Sequence, residues 1–219
     1  MALPTKLRRL APDSVRHNGR VRALALRAGV IPPRTMHSEG ESALLAQLAR
    51  DRRRVVEIGV YEGSSALVLV GALPPEAELH LVDPFAGGGP WPGVMNPADE
   101  GATRSVVERA ARRRGGPGLH WHVALSEEAA DGWSEPLDFV FIDGDHSEQA
   151  CLLDWELWNG HVEPGGVVAF HDARAGRPGG WGDDGPTAVV DRLFRREGVP
   201  GWEIAAERDT LVAVVRSSA

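Results

Sequence analysis

Val55-Val56-Glu57-Ile58-Gly59-Val60-Tyr61-Glu62-Gly63-Ser64-Ser65-Ala66 opens as an apolar run, breaks at a glycine, and breaks again four residues later before a new apolar segment begins. The first run is short and ends at a turn former, so it reads as a buried strand over 55–58, and residues 64–72 read as the helix that follows. Strand, glycine turn and helix make the first half of a βαβ unit. The chain continues it, with apolar runs at 79–82, 119–124, 137–142 and 166–170 as strands and with helices at 106–114, 147–158 and 187–196. Upstream, Leu44, Leu45 and Leu48 fall at helical spacing in 41–49, with Glu41 in the first turn. Downstream, 202–206 and 210–215 read as two strands joined by Glu207-Arg208-Asp209, an antiparallel hairpin. The alternation predicts an α/β fold, a parallel sheet with helices on both faces that ends in this hairpin.

Single residue counts exclude more than the averages do. The 219 residues suit one domain, which we divide into a basic arm over 1–40 and a main domain over 41–219. Cys151 is the only cysteine, so no internal disulfide, CxxC pair or cysteine-based zinc cluster can form. Lys6 is the only lysine, which removes a phosphate-loop lysine, a Schiff base and a lysine general base from the core. Residues 1–54 carry 12 basic and 4 acidic side chains, whereas 55–219 carry 12 and 27. A basic arm on an acidic body suits nucleic acid or an amphipathic targeting helix, but it lacks interleaved aromatics. We prefer the plainer reading, a solvated helix packed on the body or on another subunit. No apolar run is long enough for a membrane span, and the first ten residues hold no secretory signal. The expectation is a cytoplasmic protein with neither nucleic acid nor membrane as partner, and with homo-oligomerisation left open.

In open α/β sheets the ligand sits beyond the carboxyl ends of the strands. Those ends carry Glu57 and Gly59, Asp83, Leu125 and Ser126, Asp143 to His146, and His171 with Asp172. Any one of these alone is a helix cap or a turn residue; a polar end on all five strands is a site. The two glycines lie four apart and do not form the GxGxxG of a dinucleotide fold, so a nicotinamide oxidoreductase is disfavoured. Asp83 stands 20 residues past Gly63, where a carboxylate would accept ribose hydroxyls. A nucleoside without a diphosphate is the implied ligand.

The stretch from Glu57 to Ser65, Val82-Asp83, Ala124-Leu125-Ser126, Phe141-Ile142-Asp143-Gly144-Asp145-His146, Pro164-Gly165-Gly166 and His171-Asp172 together resemble the successive motifs of class I S-adenosylmethionine-dependent methyltransferases. The likeness spans about residues 36–215 and implies a Rossmann-like, seven-stranded, mostly parallel sheet with a reversed terminal strand. Within that superfamily the glycine turn resembles the metal-dependent O-methyltransferases, of which catechol O-methyltransferase is one. The Phe141–His146 run with Asp154 is similar to small bacterial enzymes that methylate sugars and other hydroxyls in natural products. The resemblance implies S-adenosyl-L-methionine as cofactor, with Gly59, Tyr61, Gly63 and Ser65 near its methionine part, Asp83 on the ribose and Ser126 beside the adenine. Glu57 would orient the turn by bonding backbone amides. A non-catalytic cofactor-binding protein of the same fold is the competing reading.

The same resemblance implies a divalent metal, magnesium or a transition metal such as manganese, on Asp143, His171 and Asp172, and a small hydroxylated molecule as methyl acceptor. Asp143 has two other readings, as a helix cap or as a contact to the cofactor amine. His171 departs from the family, where a carboxylate is usual, and shifts the expected ion away from magnesium. His146 is the expected base, His171 its competitor, and Asp145 a candidate for either the base or a missing oxygen ligand. The glycine-rich loops 84–101 and 173–185, carrying Trp91 and Trp181, would flank the acceptor, with the segment around 36–41 as a lid.

Overall fold

The structure, a computed structural model, describes residues 18–86, 98–174 and 184–218. Its elements are α1 (Gly19–Arg27), α2 (Glu39–Ala49), β1 (Arg54–Ile58), α3 (Ser64–Ala72), β2 (Glu78–Val82), α4 (Glu100–Arg114), β3 (Gly118–His122), α5 (Ser126–Ala130), β4 (Leu137–Ile142), α6 (Glu148–Trp158), β5 (Val162–Phe170), α7 (Asp184–Val190), β6 (Trp202–Arg208) and β7 (Leu211–Arg216). Seven strands form one sheet in the order β3-β2-β1-β4-β5-β7-β6. The first five are parallel, and β7 runs antiparallel to both β5 and β6. This is the expected α/β, Rossmann-like sheet with a reversed terminal strand.

Period-two alternation divides the core. From the central strands, Val55, Phe139 and Phe141 turn to one face, where they meet Leu45 of α2, Leu69 of α3 and Val107 of α4. Val56, Ile58, Val140 and Ile142 turn to the other face, against Trp155 and Trp158 of α6 and Val189 and Val190 of α7. Both faces are covered, which is why the central strands read as continuous apolar runs. Each fully buried Phe or Leu contributes about 1.5–3 kcal/mol relative to exposure.

The arm joins this core from outside. Asn18 caps α1 through bonds from the Arg20 and Val21 amides, and Leu26 packs on Ala102 and Val106 of α4. Several boundaries differ from the sequence expectation. Helix α4 starts six residues early because Asp99 caps it through the Ala102 amide. Strand β3 ends at His122, and Ser126 opens the unforeseen short helix α5. The terminal hairpin turns at Asp209-Thr210, because β6 runs on to Arg208 and β7 starts at Leu211, and the helix expected over 187–196 passes from α7 into π-helical turns over Asp191–Glu197. On the β2–β3 edge, His80, His120 and His122 stack on one another beside Trp133. Burial, with His120 and His122 nearby, pushes the His80 imidazole down to about 4, so this group is neutral packing material at neutral pH.

Candidate active site

Ladder hydrogen bonds run one residue past the parallel strands. Gly59 N donates to Val82 O, Asp83 N to His122 O, Asp143 N to Ile58 O and His171 N to Ile142 O, at 2.9, 3.1, 2.8 and 3.0 Å. The sheet therefore sets these four residues in a row at one edge. Gly59 has φ +85°, and a Cβ there would lie 2.0 Å from the Asp143 carbonyl oxygen. That glycine permits close passage of the β1 and β4 ends. Gly63 likewise has φ +85°, and a Cβ would lie 2.7 Å from the Val107 side chain, so it seats α3 against α4. Tyr61 and Asp172 hold positive φ values of 52° and 50° without being glycine, a conformation costing roughly 1 kcal/mol or more and concentrated at functional sites.

Four side chains converge at the β4 and β5 ends. His171 Nδ1 lies 3.1 Å from Asp143 Oδ1 and 3.3 Å from Asp172 Oδ2. His146 Nε2 lies 3.6 Å from Asp143 Oδ1, and its Nδ1 lies 3.7 Å from Asp172 Oδ2. Both His171 nitrogens and Asp172 Oδ1 are buried without a hydrogen-bond partner among the described residues. Ligands at about 2.0–2.2 Å from one ion lie roughly 3.0–3.5 Å from each other, so this spacing and the unsatisfied atoms fit a divalent cation. One imidazole beside two carboxylates shifts the fit from magnesium towards manganese, iron, cobalt or zinc. Asp143, His146 and His171 form the one three-ligand group found among the described residues, and Asp172 borders it.

Burial disfavours the charged His171 ring, but Asp143, Asp172 and Glu41 surround it and raise its pKa well above the usual imidazole range. Asp143 is held low against burial by His171 and His146. Asp145 is not part of this group, because it is exposed and its Oδ1 accepts from the Ser147 amide in the turn before α6. The expectation that Asp145 supplies an oxygen or a base at the metal group finds no support in its position.

The cofactor turn is arranged differently from expectation in three places. Glu57 does not bond the turn amides. Asp83 Oδ2 takes both, from Val60 and Tyr61 at 2.9 and 2.8 Å, while its Oδ1 accepts from Phe85 at 2.7 Å. One acceptor direction remains on Oδ1, enough for one ribose hydroxyl and not two. Glu57 is fully buried, its Oε1 accepts from the Ser65 hydroxyl, and its Oε2 has no partner. Burial first, then the Asp143 and Asp83 charges, raise the Glu57 pKa well above the carboxylate range. The Ser65 hydroxyl is thus committed inward, while Ser64, bonded to His37 Nε2 at 2.8 Å, is the hydroxyl at the α3 N-terminus. Ser126 accepts from Trp158 Nε1 at 2.9 Å, which ties α5 to α6 and turns its hydroxyl toward α6.

Three site residues escaped the sequence reading. Glu62 receives Arg22 and both the backbone amide and the guanidinium of Arg34, and Arg34 also donates to the Tyr61 hydroxyl at 2.9 Å, so the arm is latched to the glycine turn. His37 bridges Ser42 and Ser64. Glu41 is 1% exposed behind His171. Of these only Glu41 left a signal, the Ser38-x-x-Glu41 capping box, and that signal explains a helix start without marking a site. Trp91 and Trp181 lie outside the described residues, as do parts of both loops expected to flank the acceptor.

A sequence model of a family described as a methyltransferase domain matches residues 56–173. Among solved structures, the O-methyltransferase TomG from Streptomyces achromogenes, of tomaymycin synthesis and in complex with SAM, is 18% identical, with a TM-score of 0.60 over 95% of this chain and 91% of that one. An O-methyltransferase from Bacillus cereus in complex with SAH is 19% identical, with a TM-score of 0.61 over 94% and 93%. An rRNA methylase from Streptococcus thermophilus is 16% identical, with a TM-score of 0.51 over 81% and 95%. The fold is common to all three. A likeness that takes in an rRNA methylase does not select an acceptor.

Proposed function

The chain belongs to the methyltransferase-domain family, as a class I S-adenosylmethionine-dependent enzyme, and from that premise we propose that it methylates a hydroxyl oxygen of a small molecule, a sugar or another natural product, with a divalent cation at the acceptor. The observation that carries this reading is the convergence of Asp143, Asp172, His171 and His146 at separations of 3.1 to 3.7 Å, beside the glycine turn. Methyl transfer from a sulfonium is an in-line displacement, so the protein must align donor and acceptor and make the oxygen nucleophilic. A cation bound by Asp143, His171 and Asp172 would lower the acceptor hydroxyl's pKa and fix its orientation. His146, 22% exposed in its side chain, takes the hydroxyl proton and can pass it to solvent.

For the cofactor, the unpartnered Glu57 Oε2 suits the methionine ammonium, a charge partner that would return this buried acid to its ionised form. The free amides at the start of α3 suit the methionine carboxylate. Asp83 Oδ1 accepts one ribose hydroxyl. The segment around 36–41 serves as a lid, and the Arg22 and Arg34 contacts to Glu62 hold the chain just ahead of it on the turn. No helix among the described residues is long and apolar enough to cross a membrane. A metal-independent variant of the mechanism has one observation in its favour: three carboxylates hold His171 in its charged form, which would put an imidazolium where the cation is proposed.

Calorimetry with S-adenosylhomocysteine tests the cofactor assignment. Asp83→Ala removes the ribose acceptor and also frees the Val60 and Tyr61 amides that hold the turn, so affinity is expected to fall about 10- to 100-fold. Unchanged affinity would remove Asp83 from the site.

A further inference from the structure

Behind the metal group, on the side away from Asp143, lies a carboxylate for which neither the helix cap nor the proposed chemistry accounts. Glu41 sits in the first turn of α2, and its Oε2 accepts from the Ser38 amide at 2.7 Å. Its Oε1 accepts from both the backbone amide and the hydroxyl of Thr210, in the turn between β6 and β7, the amide at 2.8 Å. A capping glutamate usually lies at the surface, where loss of one bond costs little; this one is 1% exposed, and Oε2 faces His171 Nε2 at 3.6 Å. The same turn is tied to the His171 segment, because Ala173 N donates to Thr210 O at 2.9 Å. Ser38 Oγ also donates to Asp209 Oδ2 at 2.5 Å. Helix α2, the hairpin turn and the β5 end thus hold Glu41 from three sides.

The two nitrogens of an imidazole are not equivalent once one of them faces a fixed carboxylate. Nδ1 of His171 looks to Asp143 and Asp172, whereas Nε2 looks to Glu41. We propose that Glu41 is a positioning residue that keeps the His171 proton on Nε2, so that the Nδ1 lone pair is presented to the cation and His171 is a ligand and not the base. The inference rests on the proposed metal site and deepens it. A carboxylate on the far nitrogen of a ligating histidine fixes its tautomer and ring orientation and raises its basicity as a ligand. His146 approaches the same Asp143 and Asp172 oxygens, at 3.6 and 3.7 Å. Serving Nε2 in this way takes His171 out of contention for the proton and assigns that task to His146.

Two readouts other than turnover test the proposal. In zinc-loaded protein, nitrogen-15 spectra of the histidine rings should show His171 bound through Nδ1 with its proton on Nε2; a proton on Nδ1 overturns the proposal without need of any variant. Calorimetry with manganese(II) alone should then show Glu41→Gln binding about 10- to 100-fold more weakly than the parent, with S-adenosylhomocysteine affinity within about twofold as the control for folding. Should Glu41→Gln not fold, Thr210→Val, which removes one donor to Glu41, should weaken manganese binding in the same direction by a smaller factor. Parent affinity in Glu41→Gln overturns this inference and leaves the metal site standing. A parent protein that binds neither zinc nor manganese overturns the metal site, and this inference with it.

Discussion

His146→Ala is expected to lower the rate of methyl transfer about 10²- to 10⁴-fold, the range for loss of a general base, while manganese and cofactor affinities stay within about twofold of the parent. The argument is positional. His146 lies three residues past Asp143, before α6, with its ring 3.6 Å from Asp143 Oδ1 and 3.7 Å from Asp172 Oδ2. Its side chain is 22% exposed against 2% for His171, so it alone of the two can exchange a proton with water. Added metal cannot replace a proton acceptor, and excess manganese should not rescue the variant. If rescue occurs together with weakened metal binding, His146 is a fourth ligand, as its place in the three-ligand group would permit.

Asp172→Asn should have the opposite profile. Asparagine tolerates a φ of 50° much as aspartate does, so the change removes charge without straining the turn, which alanine would do. Asp172 Oδ2 lies 3.3 Å from His171 Nδ1, and Oδ1 is buried with no partner. A direct ligand matters at least as much as the outer partners that usually cost 10- to 100-fold, so manganese affinity should fall by about 10²-fold or more, with turnover falling alongside it at low metal. Excess manganese should restore part of the rate, because Asp143 and His171 remain. Calorimetry and a metal titration of the rate check both halves; parent-like metal affinity would take Asp172 out of the ligand set.

The residues at the strand ends were legible because period and position announce them. An apolar run that stops at Asp143 or His171 marks where a parallel sheet gives way to its ligand edge, and a glycine at 59 marks where two strand ends pass closely. The turn's internal bonding was not legible. Whether Asp83 or Glu57 receives the Val60 and Tyr61 amides depends on which carboxylate stands beside the turn and which lies beneath it, a matter of strand register that local sequence does not carry. Glu41 was visible as a first-turn helix residue, yet its second face comes from Thr210, 169 residues away. Glu62 was hidden for the same reason, since its partners Arg22 and Arg34 belong to the arm. Asp145 was ambiguous in sequence, because a carboxylate in an Asp-Gly-Asp run suits an Asx turn, the bond it makes here, as well as a ligand.

The account stands most directly on metal dependence at the β4 and β5 ends. The measurement is the rate of S-adenosylhomocysteine formation by chelator-treated protein with a panel of catechols and sugar diols, before and after manganese(II) is restored. The account predicts no turnover in the stripped protein, recovery on adding manganese, and cofactor binding preserved throughout. Full turnover by metal-free protein on a hydroxyl acceptor would contradict it.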